Sequence, residues 1–383
     1  MGMWFVPLAG VLNAHGYGDH RAAIFATSGI SAFISPLIFG ALADRHYAPV
    51  RVLRWLALAT AVAMALATAA IGARLPWYWV LAACQFHSIC AAPTFSLTTT
   101  IVLSRLQDSK REFGPLRAMA TLGWMAGCWL VSGFGADTTT GAGYGGAAVW
   151  LCVAAFTCTL PGVPPPKQTG LNTWRERLGL DALVLLKNRD HRGVFIAAVL
   201  FNIPLCAFYV YTPQHLLELG LTRTTAWMSL GQVTEIISMF FIGALLARWR
   251  LKWIFAAGIF FGFIRYAICA LDTPAALIIG VTLHGFAFTL FFITGQIYLD
   301  QRIDPAWRAR SQALWQVVIT GVGNTAGYLG CGAWFLACKT DSGVRWAMHW
   351  SGLAVSVLLV LFWFLFSYRG RDGGHSLSTR SGN

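Results

Sequence analysis

Charge is what this chain of 383 residues has least of: Asp, Glu, Lys and Arg make up 11% of it, against about 25% in soluble domains. Acidic residues are the scarcer sign, 15 against 28 Lys and Arg. So little charge beside 57% hydrophobic residues excludes an ordinary water-soluble enzyme or binding module. The nine cysteines form no CxxC pair and lie almost all in apolar runs, which supports neither a disulfide framework nor a zinc site. HExxH, GxSxG and the P-loop pattern are missing, which weighs against an intramembrane protease, a hydrolase or an ATP-driven pump. The chain is read as no enzyme, with no cofactor and no metal. Met1–Ala14 lacks the basic start and the cleavage site of a signal peptide. At 1.5 Å per residue it reaches about 21 Å, short of the roughly 30 Å of a bilayer core. The first helix is expected either to lack its opening turns or to end within the membrane.

What the chain does have is apolar runs from end to end. Spans are expected at 1–14, 21–43, 50–73, 76–103, 114–136, 144–163, 193–214, 224–247, 252–271, 274–299, 309–338 and 344–368. Every second connection then carries the basic residues: Arg45, Arg51 and Arg54; Arg105, Lys110 and Arg111; Lys167 to Arg192; Arg248, Arg250 and Lys252; Arg302, Arg308 and Arg310; and the tail. That side is cytoplasmic by the positive-inside rule, and the C-terminus with it. The net charge of +13 is thus a topology signal and not a nucleic-acid footprint. The fold class is an all-α, multi-pass membrane protein.

The chain repeats itself. Gly40-Ala41-Leu42-Ala43-Asp44-Arg45 joins the second and third spans, and Gly243-Ala244-Leu245-Leu246-Ala247-Arg248 joins the eighth and ninth. Two six-helix bundles in parallel repeat place these loops equivalently. The boundaries follow: a first bundle over 1–163, a central cytoplasmic loop over 164–192, a second bundle over 193–368, and a Gly/Ser-rich, disordered tail over 369–383. In the loop, Trp174, Leu178, Asp181 and Leu185 keep helical spacing and predict a surface helix.

Glu235 is the only acid well inside an apolar run, and Gln232 shares its helix face. A charge at that depth costs about 2.5–3.5 kcal/mol on insertion scales, so it faces a partner or a wet cavity. It could take up and release protons, bind hydroxyls while ionised, or pair with Arg117. Arg117, Thr121 and Trp124 form one stripe of the fifth span. Arg117 could donate to a ligand or snorkel to the surface, and Trp124 could stack on a ring or simply pack. In the eleventh span Gln312, Gln316, Thr320 and Asn324 recur every four residues, a polar stripe that turns to a cavity or another helix rather than to lipid. Gln296 in the tenth span is a candidate of the same kind. Gly141-x-Gly143-x-x-Gly146 follows no strand and is read as a turn.

The Gly40–Arg45 loop is similar to the signature of the major facilitator superfamily, in which the Asp and basic residues latch the halves on the cytoplasmic side. That implies a gating role for Gly40, Asp44 and Arg45; on the residues alone, Arg45 could merely set topology. Phe113-Gly114-Pro115-Leu116-Arg117-Ala118-Met119-Ala120-Thr121-Leu122-Gly123-Trp124 resembles the fifth-helix motif of the nucleoside:proton symporter family. Gln232-Val233-Thr234-Glu235 and Asp304-Pro305-Ala306-Trp307-Arg308-Ala309-Arg310-Ser311-Gln312 match the same family in order. The resemblance implies the major facilitator fold and nucleoside binding by Gln232 and Glu235. The chain departs from the family where the helix-ten acid falls on Thr289 and a tyrosine on His284, while helix-seven polar positions fall near Ala207 and Val210. His284 or His87 could supply the missing titratable group.

The resulting expectation is a carrier of the inner membrane taking up nucleosides by alternating access, coupled to protons. Arg117, Thr121, Trp124, Gln232 and Glu235 hold the ligand, Phe288 and Gln296 are secondary candidates for its lining, and Glu235 or His284 carries the proton. The partners are a nucleoside-like solute, protons and the lipid bilayer, with no nucleic acid, and the chain is expected to be a monomer. The rivals are a facilitator of sugars or other polar metabolites, and a membrane receptor that binds without transport.

Overall fold

A computed structural model describes residues 1–45, 48–103, 105, 109–161, 173–304 and 307–370, with the backbone alone at 36–45, 100, 103, 109–115, 117–118, 177 and 309. Its helices are α1 (Gly2–Ala14, bent at Pro7), α2 (Arg21–Arg45), α3 (Pro49–Gly72), α4 (Trp77–Leu103), α5 (Ser109–Gly133) and α6 (Gly141–Phe156). After the linker come α7 (Arg189–Glu218), α8 (Thr224–Arg248), α9 (Leu251–Cys269), α10 (Pro274–Arg302), α11 (308–338) and α12 (Trp346–Ser367). Among the described residues, seven are long and apolar enough to cross a membrane. The strand content of the described residues is one two-residue pair, β1 (Lys339–Thr340) with β2 (Gly343–Val344), at the tip between α11 and α12.

The helix ends follow local chemistry. Pro49 and Pro274 occupy first-turn positions, where the missing N–H costs nothing. Asn188 starts α7 by accepting the N–H groups of Asp190 and His191, the usual work of an N-cap side chain. Within α7, Pro204 stands just before a break at Cys206. The Pro204 carbonyl accepts the Tyr266 hydroxyl from α9, so a neighbouring helix satisfies the broken segment. α10 and α11 each contain a π-helical stretch, Thr289–Ile293 and Val317–Gly323.

α8 is polar inside and apolar outside. It buries Gln232, Thr234, Glu235 and Ser238 and exposes Phe240 and Phe241, as expected where lipid rather than water is the surrounding solvent.

The two halves of the chain meet at the end away from the basic loops. Phe25 of α2 packs on Tyr328 of α11 with ring centroids 5.5 Å apart. Gly332 and Gly321 of α11 lie against Ala22 and Phe33 of α2, leaving no room for a Cβ. Such small-residue contacts are the usual way for membrane helices to approach closely. At the tip of this seam Arg21, 2% exposed, has its guanidinium 4.9 Å from the Tyr211 ring and 4.8 Å from the Phe335 ring. Lys339 of β1 donates to Asp19 across the same seam at 2.9 Å. On the other flank, Trp129 of α5 donates to Ser229 of α8 at 3.0 Å.

The linker differs from the single surface helix expected of it. A short helix, Trp174–Arg177, stops at Gly179, whose φ of +67° turns the chain left-handed, and a 3-10 helix follows over Leu180–Lys187. A Cβ at Gly179 would collide with the Arg310 carbonyl. This close approach docks the linker on α11, where Arg310 also meets Glu176 at 3.9 Å. Of the predicted stripe Leu178 is buried and Leu185 packs on the core, while Trp174 is 60% exposed, so the break at Gly179 leaves Trp174 off the inward face. The expected tail beyond residue 370 lies outside the described residues.

Candidate functional site

Glu235 lies at the contact of α8 with α10. A Cβ on Gly285 would overlap the Glu235 backbone nitrogen, and Thr234 donates to the Thr282 carbonyl. A glycine opposite the acid is what lets the two backbones come this close. Glu235 is 8% and Gln232 5% exposed, so neither side chain is turned to lipid.

Gln232 donates to the Tyr209 hydroxyl of α7 at 3.2 Å, and Tyr209 is the centre of the group. Its ring meets Phe5 of α1 at 5.2 Å, Trp124 of α5 at 6.5 Å and His284 of α10 at 5.7 Å. Residues from both halves of the chain thus converge on one tyrosine. Trp124 stands edge-on to Phe5 at 6.4 Å. Its indole N–H is buried and has no hydrogen-bond partner among the described residues, a donor left for something else to satisfy. Thr121 is buried one turn away on the same helix. Phe288 is half-buried and lies 6.1 Å from the His284 ring.

His284 is itself held from behind. Its ring stacks on Phe208 at 4.1 Å, and Arg265 of α9 donates to its Nδ1. Arg265 is 1% exposed, lies 4.7 Å from the Phe208 ring centroid and also donates to Tyr266.

The structure does not bring every expected residue here. Gln296 lies twelve positions beyond His284 on α10, about 18 Å along the axis, and its carbonyl accepts from Gln312 at 2.9 Å. His87 packs in the first half against Trp4. Thr289, at the position of the family acid, is fully buried with its hydroxyl unpartnered among the described residues. The side chains of Arg117, Gly40, Asp44 and Arg45 lie outside the described residues. Of the polar stripe on α11, Asn324 accepts from Asn202 of α7 at 2.8 Å, and Thr320 donates to Gln316 at 3.2 Å. Among the described residues no three of His, Cys, Asp and Glu converge as metal ligands.

Sequence reasoning missed Phe5, Tyr209 and Arg265 as members of this group. Arg265 had a visible signal, since an arginine inside a span is rare enough to be a site candidate by itself. Tyr209 and Phe5 had none, because one aromatic in an apolar helix looks like any other.

Comparison with known proteins identifies the family and the fold. The family model described as nucleoside H+ symporter matches residues 1–373. The putative nucleoside transporter YegT of Escherichia coli (strain K12) is 29% identical over 97% of this chain and 91% of its own length. Nucleoside permease NupG of the same organism is 26% identical, over 92% and 88%. The crystal structure of the nucleoside transporter NupG superimposes with a TM-score of 0.84 at 24% identity, over 96% of each chain. An auto-inhibited POT family peptide transporter follows the same path with a TM-score of 0.68 at 14% identity, over 98% of this chain and 97% of that one. The two-bundle major facilitator fold is therefore that of this chain, and the chain belongs to the nucleoside H+ symporter family.

Proposed function

We propose that the chain takes up nucleosides by alternating access, driven by protons. The observation that carries this reading is the convergence of Trp124 from the first half with Gln232 and His284 from the second on Tyr209, beside the buried Glu235. A ligand held between the halves can be exposed to one side at a time when they rock, and that is how carriers with midplane sites work. The rocking bodies are the bundles 1–163 and 193–368.

Each residue type suits a nucleoside. Aromatic faces at Trp124 and Phe288 offer stacking, worth about 1–3 kcal/mol per base in other proteins. Gln232 presents both a donor and an acceptor, and the unpartnered Trp124 N–H supplies a donor for a base carbonyl or a hydroxyl. Thr121 lies one turn from Trp124 on α5, and the sequence spacing adds Arg117 to that stripe. Glu235 and His284 are the titratable candidates for coupling; a carboxyl that can be neutralised crosses the membrane interior at lower cost than a fixed charge.

The basic end faces the cytoplasm, and the C-terminus with it, in the inner membrane. The described contacts between the halves then close the outer side, while Gly40, Asp44 and Arg45 belong to the inner latch. The carrier works as a monomer in the bilayer. Uptake of labelled uridine and adenosine into proteoliposomes, with and without an inward proton gradient, tests this. Accumulation above equilibrium supports symport; equilibration alone supports a facilitator, and binding without flux a receptor.

A further inference from the structure

Arg265 is the one described arginine buried beside this group that the proposal above does not use. The geometry points to Arg265 as a positioning residue: it fixes the tautomer of His284 so that the ring offers an N–H donor to the ligand. This deepens the nucleoside-uptake reading and rests on it.

The first step is hydrogen-bond bookkeeping. A guanidinium has five donors and no acceptor. In the Arg265–His284 bond, Nδ1 must therefore be the acceptor, and the single proton of the neutral ring sits on Nε2. The second step is direction. The Cδ2 edge of the ring faces α8 at Gly231, where a Cβ would come within 3.3 Å of it. Nε2 adjoins Cδ2 in the ring and lies on the side away from Nδ1. The donor edge is thus turned to the helix that carries Gln232 and Glu235, while Arg265 stands on the other edge. Phe208 stacked on one face and Tyr209 set at 83° to the ring keep it from turning over.

The arrangement also divides the labour between the two titratable candidates. A proton on Nδ1 would break the bond and set a second cation against Arg265. The ring is contacted by Arg265 from α9, Phe208 and Tyr209 from α7 and Phe288 of its own helix, none of them a carboxylic acid; the acid of this group, Glu235, is on α8. His284 therefore serves as a neutral donor, and proton coupling falls to Glu235. A tyrosine at this position, as in the family pattern, carries its hydroxyl proton unaided; a histidine needs a neighbour to decide which nitrogen is protonated.

A double-mutant cycle in proteoliposomes with labelled uridine and adenosine tests this. Arg265→Gln is expected to raise KM about tenfold with little change in kcat, the size of a lost hydrogen bond. His284→Ala does the same, whereas His284→Gln, whose amide brings its own donor, restores KM. In the His284→Gln background Arg265→Gln has no further effect, and Arg265→Lys retains wild-type KM in the native background. The pH profile of uptake is the same for wild type and His284→Gln. Equal KM increases from Arg265→Gln in both backgrounds would show that Arg265 only braces α7 through Tyr266, and would overturn the assignment. So would a shifted pH midpoint in His284→Gln, or an unchanged KM in His284→Ala while the wild type still transports. No uptake by the wild type overturns the transport reading itself and this assignment with it.

Discussion

The Asp137 carboxylate, in the connection after α5, accepts the backbone N–H of Thr225, in the first turn of α8, at 2.7 Å. Ser132 donates to the same carboxylate at 2.7 Å and accepts the Ala226 N–H at 2.9 Å. One half of the chain thereby caps the start of the helix that carries Gln232 and Glu235 in the other half. Free N–H groups at a helix start are natural partners for a carboxylate. With Asp137 5% exposed, the contact does not compete with bulk water. In the proposed cycle, rocking the halves apart must break it, so it belongs to the gate at the closed end of the seam.

Asp137→Ala is expected to weaken that closure. The loss of buried, charge-assisted hydrogen bonds is worth about 1.5–3 kcal/mol. The variant should melt earlier in detergent, and a cysteine placed at Thr225 should react faster with a membrane-impermeant thiol reagent. Unchanged melting and labelling would remove Asp137 from the gate.

Gly285 sets the distance between α8 and α10, since any Cβ there overlaps the Glu235 backbone. Gly285→Val is expected to abolish uptake and to cost about 1–3 kcal/mol, the usual penalty of overpacking. Gly133→Ala, at a position with open space around it, should leave both unchanged. Full activity in Gly285→Val would mean that the close packing of these helices is dispensable.

Much of this was legible in the sequence, and what was not has physical causes. Apolar runs and the alternation of basic loops placed the helices, because lipid forces backbone bonds into helices and leaves charge at the ends. The buried polar face of α8 was readable because an acid is costly there. The convergence on Tyr209 was not, since it depends on which helices meet. The stripe on α11 was read at α-helical spacing, but its middle is π-helical. The wider turn changes the register, and Asn324 ends up bonded to Asn202 while Gln316 stays exposed. Arg21 stands at the start of α2, where a charge ordinarily stays in water; the rings of Tyr211 and Phe335 draw it into the seam instead.

Asp19 makes the closed gate weakly sensitive to acid. The hydrogen bond and charge of Lys339 hold its carboxyl below the ordinary value. A depressed carboxylate contributes stability above its unfolded value of about 3.9 and loses it as pH falls through the folded value. The effect is small, because both side chains are largely exposed. Between pH 5 and 8 the wild type and Lys339→Ala should therefore show the same pH dependence of melting, and differ only below about pH 4. A difference confined to neutral pH would contradict this.

Trp124→Phe separates the ring from its N–H. With the ring kept and the unpartnered donor removed, KM for uridine is expected to rise about tenfold, the scale of a hydrogen bond within a site. Trp124→Ala should cost more, since stacking goes as well. Equal KM in the wild type and Trp124→Phe would assign Trp124 to packing alone.

The central claim is that the Glu235 carboxyl, buried between α8 and α10, couples the proton to the solute. The most direct measurement is uptake of labelled uridine by Glu235→Gln in proteoliposomes, beside exchange of uridine across the same membranes with no gradient. The account predicts that the acid-driven accumulation seen with the wild type disappears while exchange continues. Accumulation in Glu235→Gln with the pH dependence of the wild type would contradict it.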